Sequence, residues 1–207
     1  PTRPWGWPKR VTGTSWSIGQ SGNSWTRTGI TAFTSTLTGG DVVGTTNDAG
    51  VFVGGVGSLA LRVRKGDAAP GTDATFGGVN NSSLQVNASG SICFQSSLIG
   101  GTSTTADDTG MWSDHGGTLQ LICREGQVMP GTGGSTAGSI SGTVSYFNDA
   151  GQILFTVNLQ GGTITGSSYW AWDPIQGLLP VSLAGDSIEI APGVFRYMNG
   201  GLSSVGS

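Results

Sequence analysis

From Ile153 to Leu159 the apolar residues Ile153, Phe155, Val157 and Leu159 alternate with Leu154, Thr156 and Asn158. A period of two predicts a β-strand with one face turned to a core. The pattern belongs to a sixteen-residue block that occurs at residues 25–40, 86–101 and 147–162, each start displaced by 61 residues from the last. The displacement brings Gly29, Gly90 and Gly151 into register, together with Phe33, Phe94 and Phe155, and Leu37, Leu98 and Leu159. A period of this size signals repeated units that bury their apolar faces by stacking on one another. Cys93 and Leu154 lie on the opposite face of the strand and are apolar too. The strand is therefore expected to be covered on both sides.

The likeness runs past the block. Residues 47–53 correspond to 107–113, with the aromatic stretch 169–172 in the third copy, and 59–72 correspond to 119–132. Gly-Gly pairs at 39, 100 and 161, and the Asx pairs Asn47-Asp48 and Asp107-Asp108, supply the chemistry that reverses a chain. Pro70-Gly71, Pro130-Gly131 and Pro192-Gly193 end the following strand, because proline donates nothing to a ladder. In the third copy Pro192 lies seven positions after Gly185, where the others have four, a three-residue insertion. The expected fold is all-β: three repeats of 61 residues, each four antiparallel strands, either β-propeller-blade-like or stacked units. A threefold β-prism or trefoil-like closed domain is the alternative. An extended Pro/Trp-rich arm (1–15) precedes one repeat domain (16–207), with repeats at about 16–75, 76–136 and 137–197 and a partial fourth at 198–207.

Only 10% of the 207 residues are charged and 38 are glycine, a composition that also suits linkers. Apolar residues held in register argue for a packed domain instead. The net charge of −3 gives no electrostatic footprint for nucleic acid, and no apolar run approaches the length of a membrane span. The chain starts at Pro1, which suits a processed product with a removed secretory signal. Cys93 and Cys123 fall on strands with another between them, too far apart for a bridge in a simple meander.

Candidate chemistry is sparse. His115 is the single histidine, within Ser113-Asp114-His115, and is expected on an exposed turn without a nucleophile-elbow sequence. Asp107, Asp108, Asn47 and Asp48 offer oxygens to calcium, yet lack the spacing of a calcium loop and suit Asx turns better. Arg62, Arg64, Lys65 and Arg124 form a basic cluster for a solvated face or an anion. Asn80, Asn81 and Asn87 open glycosylation sequons, and the 80–83 loop is the candidate site for a sugar. Trp5 and Trp7 lie outside the repeat, and Met198, Leu202 and Val205 lie in the partial one. These five are the candidate assembly residues, since an open sheet edge invites a further strand. No catalytic residue and no cofactor is assigned.

The motif Asn-x-x-Gly-x-x-x-Phe, with Asn87, Gly90 and Phe94 in one copy and Asn148, Gly151 and Phe155 in another, resembles the tandem N-x-x-G-x-x-A-F repeat proteins of bacteria. In the first copy Thr26 replaces the asparagine and Ala32-Phe33 keeps the Ala-Phe pair. The resemblance implies a secreted or surface-anchored protein without an assigned reaction. The function expected is a non-catalytic extracellular or cell-surface structural protein that self-associates end to end into a filament or ring. A lectin-like module holding glycans is the alternative. A glycoside hydrolase using Glu125 and Glu189 comes third, because it needs paired carboxylates and these two occupy non-equivalent places.

Overall fold

The computed structural model describes residues 24–26 and 29–197. They form antiparallel strands and no helix. The first sheet contains β1 (Ser24–Trp25), β2 (Thr31–Thr36), β3 (Ala49–Gly54) and β4 (Ala60–Arg64). The second contains β5 (Thr75–Val86), β6 (Ile92–Ile99), β7 (Thr109–Ser113) and β8 (Gln120–Arg124). The third contains β9 (Thr136–Phe147), β10 (Ile153–Gln160), β11 (Gly166–Asp173) and β12 (Gly177–Ser182). In each, strands adjacent in sequence pair in space. The pairs Phe33–Phe52, Phe94–Trp112 and Phe155–Trp170 hold the same place in the three sheets.

Local chemistry explains two parts of the motif. At Asn87-x-x-Gly90 the Asn87 Oδ1 accepts from the Ser91 N–H at 2.9 Å, while Gly90 donates to the Asn87 carbonyl at 3.0 Å. Asn148 does the same for Gln152 at 2.9 Å, and Thr26 Oγ1 for Ile30 at 3.0 Å, so the threonine is a working substitute. The fourth residue is left-handed, with φ of 79°, 82° and 80° at Gly29, Gly90 and Gly151, a region costly for any residue with a Cβ. Gly110 has a different reason. The Trp112 ring lies across it, and an added Cβ would sit 2.5 Å from the ring. Gly50 likewise makes room beneath Leu61 and Phe52.

The sheets stack face to face. One core cluster joins Ala32, Val51, Val53 and Val63 of the first sheet to Phe76, Phe94, Leu98 and Trp112 of the second. The other joins Cys93, Met111, Ile122 and Cys123 of the second to Ile153, Phe155, Val157 and Trp170 of the third. The second sheet is thus buried on both faces. No core cluster of described residues links the first sheet to the third. Phe94 and Phe155 are fully buried, whereas Phe33 is half-buried. Phe33 keeps its register, but its face of the first sheet is the one turned away from the second.

The third copy departs where its insertion lies. The turn at Gly185 matches those at Gly66 and Gly126, with Leu183 N donating to Asp186 Oδ2 as Arg64 N does to Asp67 Oδ2. After Gly66 and Gly126 the chain makes a single bridge, Ala68 to Thr75 and Val128 to Thr136, into the first strand of the next sheet. After Gly185 it forms a two-stranded hairpin, β13 (Ser187–Ala191) and β14 (Val194–Tyr197), exposed throughout.

Cys93 and Cys123 are free and buried, on β6 and β8 with β7 between them. Burial pushes the Cys123 thiol up to about 12 and raises that of Cys93 as well. Neither forms the reactive thiolate near neutral pH. The folded protein is expected to resist a thiol reagent at pH 8, and after unfolding without reductant both thiols should titrate. A count of zero thiols would require β6 and β8 to be neighbours.

Candidate functional site

The polar chemistry concentrates along the two seams between sheets. At the first seam Arg62 Nη1 meets Asp114 Oδ2 at 2.8 Å and Thr34 Oγ1 donates to Asn81 Oδ1. Trp112 Nε1 also donates to the Pro70 carbonyl at 3.0 Å. At the second seam Gln95, equivalent to Thr34, reaches across with Nε2 to the Ile140 carbonyl at 2.9 Å. Ile122 and Trp172 stand there in the places of Arg62 and Asp114, and both join the second core cluster. The Asx turns stack as well. Asn87 Nδ2 donates to the Asn148 carbonyl at 3.1 Å, and Ala88 N to Asp149 Oδ1 at 2.7 Å.

Each seam is flanked by a cleft at the same place in the repeat. The first, about 330 Å³, is lined by Thr34, Ser35, Thr36, Lys65 and Asn81 among others. The second, about 500 Å³, is lined by Asn80, Gln95, Ser96, Ser97, Thr109 and Glu125 among others. These clefts escaped the sequence reading. Their signal was the hydroxyl and amide run at 34–36 and 95–97, which falls on one strand position in two copies.

Ser113, Asp114 and His115 do not form a catalytic relay. Ser113 Oγ donates to the Ile92 carbonyl at 2.9 Å, and the Asp114 carboxylate accepts from the Ile92 N–H at 2.6 Å as well as from Arg62. His115, expected on an exposed turn, is instead half-buried against the Gly151 turn of the next copy, its Nδ1 buried without a hydrogen-bond partner. The cause is steric: Gly151 lacks the Cβ that would displace the ring. Asp114→Ala should cost about 1–3 kcal/mol, because it strands the buried Ile92 N–H. Arg62→Ala should cost no more than about 1 kcal/mol, since that side chain is 43% exposed. Chemical denaturation of the two variants checks the contrast.

The three aspartates and the asparagine proposed for calcium commit their oxygens to the fold. Asp107 accepts from Thr104 N at 2.6 Å, Thr104 Oγ1 at 2.9 Å and Arg124 Nη2 at 2.9 Å. These bonds, the Thr104 N–H first, hold its carboxyl below the usual range. Asn47 Oδ1 accepts from Val43 N at 2.7 Å, Asp48 pairs with Lys65 at 3.1 Å, and Asp108 Oδ1 accepts from Thr109 Oγ1 at 3.4 Å. Among the described residues no three His, Cys, Asp or Glu side chains gather as a metal site. The basic residues are likewise committed: Arg64 binds Asp41 and the Asn47 carbonyl, as Arg124 binds Asp107 and its carbonyl. They pin equivalent loops and leave no free cationic patch of these four.

Asn80 is exposed at a bulge of β5, its Nδ2 donating to Gln95 Oε1 at 3.0 Å. Asn87 is 3% exposed, with its amide nitrogen engaged across the second seam, a place unsuited to a sugar in the folded chain. Glu125 lines the second cleft, and burial raises its carboxyl. Glu189 lies on the exposed β13 and accepts from Gly193 N at 2.7 Å, so it does not line the Glu125 cleft. Trp5, Trp7, Met198, Leu202 and Val205 lie outside the described residues.

The sequence profile of a family of unknown function (DUF7453) matches residues 17–205. The chain belongs to this family. The match takes in all three four-stranded sheets and the hairpin. No curated protein matches the sequence.

Proposed function

We propose that this member of DUF7453 is a non-catalytic structural β-repeat protein, extracellular or on a cell surface, that self-associates end to end into a filament or ring. One observation carries the reading. The same sheet-to-sheet contact is made twice within the chain, and its two complementary faces recur on the outer sheets. The sheets are read as propeller-blade-like units because strand order and the aromatic pair repeat, and because β5 packs against β9 at the edge where first strands meet. The placement outside the cell rests on the resemblance to N-x-x-G-x-x-A-F repeat proteins and on the scarcity of charge. Light scattering of the full chain over a concentration series tests it, with negative-stain images of the largest species. Mass rising in whole-chain steps supports the reading, and a monomer up to the solubility limit overturns it.

A carbohydrate-binding module is the second reading, favoured by the paired clefts with their hydroxyl and amide linings. Binding on a glycan array that is lost in both Asn81→Ala and Gln95→Ala would promote it over the first.

A further inference from the structure

The inner seams show which surfaces belong together. Toward the following sheet, the first sheet presents Ala32, Val51, Val53 and Val63, and the second presents Cys93, Met111 and Cys123, all buried. Toward the preceding sheet, the second presents Phe94 and Trp112, and the third presents Phe155 and Trp170, all fully buried. Each seam is the first kind of face packed on the second.

Both kinds recur at the outer sheets. On the third sheet, Leu154, Ala171, Leu179 and Val181 hold the places of Cys93, Ser113, Gln120 and Ile122, and Leu179 and Val181 are 37% and 56% exposed. On the first sheet, Phe33, Phe52 and Leu61 hold the places of Phe94, Trp112 and Leu121; Leu61 is 45% exposed and Phe33 half-buried, while Phe52, stacked on Phe33, is 4% exposed. The β13–β14 hairpin adds Ile188, Ile190, Val194 and Phe195, exposed between 38% and 57%, beyond the last turn of the third sheet. At the other two copies the corresponding bridge leads into a sheet that stacks on the one before it.

We infer that the Leu179/Val181 face of the third sheet in one chain docks on the Phe33/Leu61 face of the first sheet in a second copy, repeating the internal seam between molecules. The inference rests on the proposed end-to-end assembly and names its two surfaces and their polarity. The contact is heterologous, so each copy offers one face of each kind, and rings or filaments follow according to whether the rotation closes. The new seam matches in chemistry. Val181 faces the place that Asp114 and Trp172 fill in the inner seams, and on the first sheet that place is Gly54, so an apolar side chain meets no charge.

The test uses the unsubstituted parent protein and two blocked variants, Phe33→Asp and Val181→Asp, with Leu61→Asp and Leu179→Asp in reserve should either variant fail to fold. An unpaired carboxylate buried in the contact is expected to weaken self-association on the order of 100-fold in each variant alone. Each variant keeps one intact face. An equimolar mixture should therefore form a two-chain species and stop there, as measured by light scattering. That pattern supports the proposal, and a mixture that stays monomeric overturns it. Two variants that assemble like the parent overturn these faces and leave end-to-end assembly standing. One variant that assembles normally while the other does not points to a like-with-like contact, which overturns the heterologous one. A monomeric parent overturns the inference together with the reading it rests on.

Discussion

Phe94→Ala is expected to destabilise the fold by about 3–5 kcal/mol, the usual cost of emptying a fully buried aromatic site. The Phe94 ring has no exposure and stands in a trio, 5.8 Å from Phe76 and 6.2 Å from Trp112, with Phe76 and Trp112 edge to face at 5.1 Å. The trio lies at the first seam, so the cavity would open between sheets, where relaxation needs two sheets to move together. For a domain of this length each kcal/mol moves the midpoint about 2–4 °C, and the melting temperature should fall by roughly 10 °C. Phe155→Ala should behave alike. Phe33→Ala should cost only about 1 kcal/mol, because that ring is half-buried in the isolated chain. Thermal unfolding of the three variants side by side checks the order, and three equal losses would mean that the first sheet is covered as well as the others.

Gly151→Ala should cost about 2–5 kcal/mol, well above Gly90→Ala at about 1–2 kcal/mol. Both glycines are left-handed, with φ near +80°, and each pays the same conformational penalty on gaining a side chain. Only Gly151 pays a second one. A Cβ there would lie 2.2 Å from His115 Cδ2, whereas at Gly90 the nearest atom is Ile30 Cδ1 at 3.6 Å. The excess is an overpacking term, so it should shrink when the ring is removed. The double variant Gly151→Ala, His115→Ala is expected to recover most of the difference in a denaturant series. If the two glycine variants lose the same stability, the contact between His115 and the third copy is absent in solution.

The repeat made the strands legible. Phe33, Phe94 and Phe155 fixed the register, and the Gly-Gly and Asx signals marked the turns, because turn chemistry and period-two burial are local properties. The stacking direction was not local. Nothing in residues 25–40 states which face of their strand meets the second sheet, so the half-exposure of Phe33 could not be read from an alignment that placed it with two buried residues. His115 failed for the same reason: its partner is an absent atom on Gly151, 36 positions later. The asparagine of the motif shows the reverse case. Asn87 scans as a sugar acceptor, yet its oxygen caps its own turn and its nitrogen holds the next one. The clefts were hidden because their walls come from different copies.

The unlike pairs in the two seams also make the units non-interchangeable. The first seam closes on Arg62 and Asp114, the second on Ile122 and Trp172, although the strands around them superpose in register. Were the second sheet to stack in the first sheet's place beneath a copy of itself, Ile122 would meet Asp114 and bury a carboxylate without its cation. Were the third sheet to settle directly on the first, Arg62 would meet Trp172 and lose its counter-ion. Either mistake breaks the ion pair, leaving the largely buried Asp114 carboxylate without its cation or the half-exposed Arg62 without its counter-ion, and the correct order avoids both costs. Similar strands stacked in a single line are prone to slip by one whole unit during folding, as multidomain and repeat chains do. Keyed seams give this chain a lock for each junction, so its order of assembly is written in four side chains rather than in the backbone.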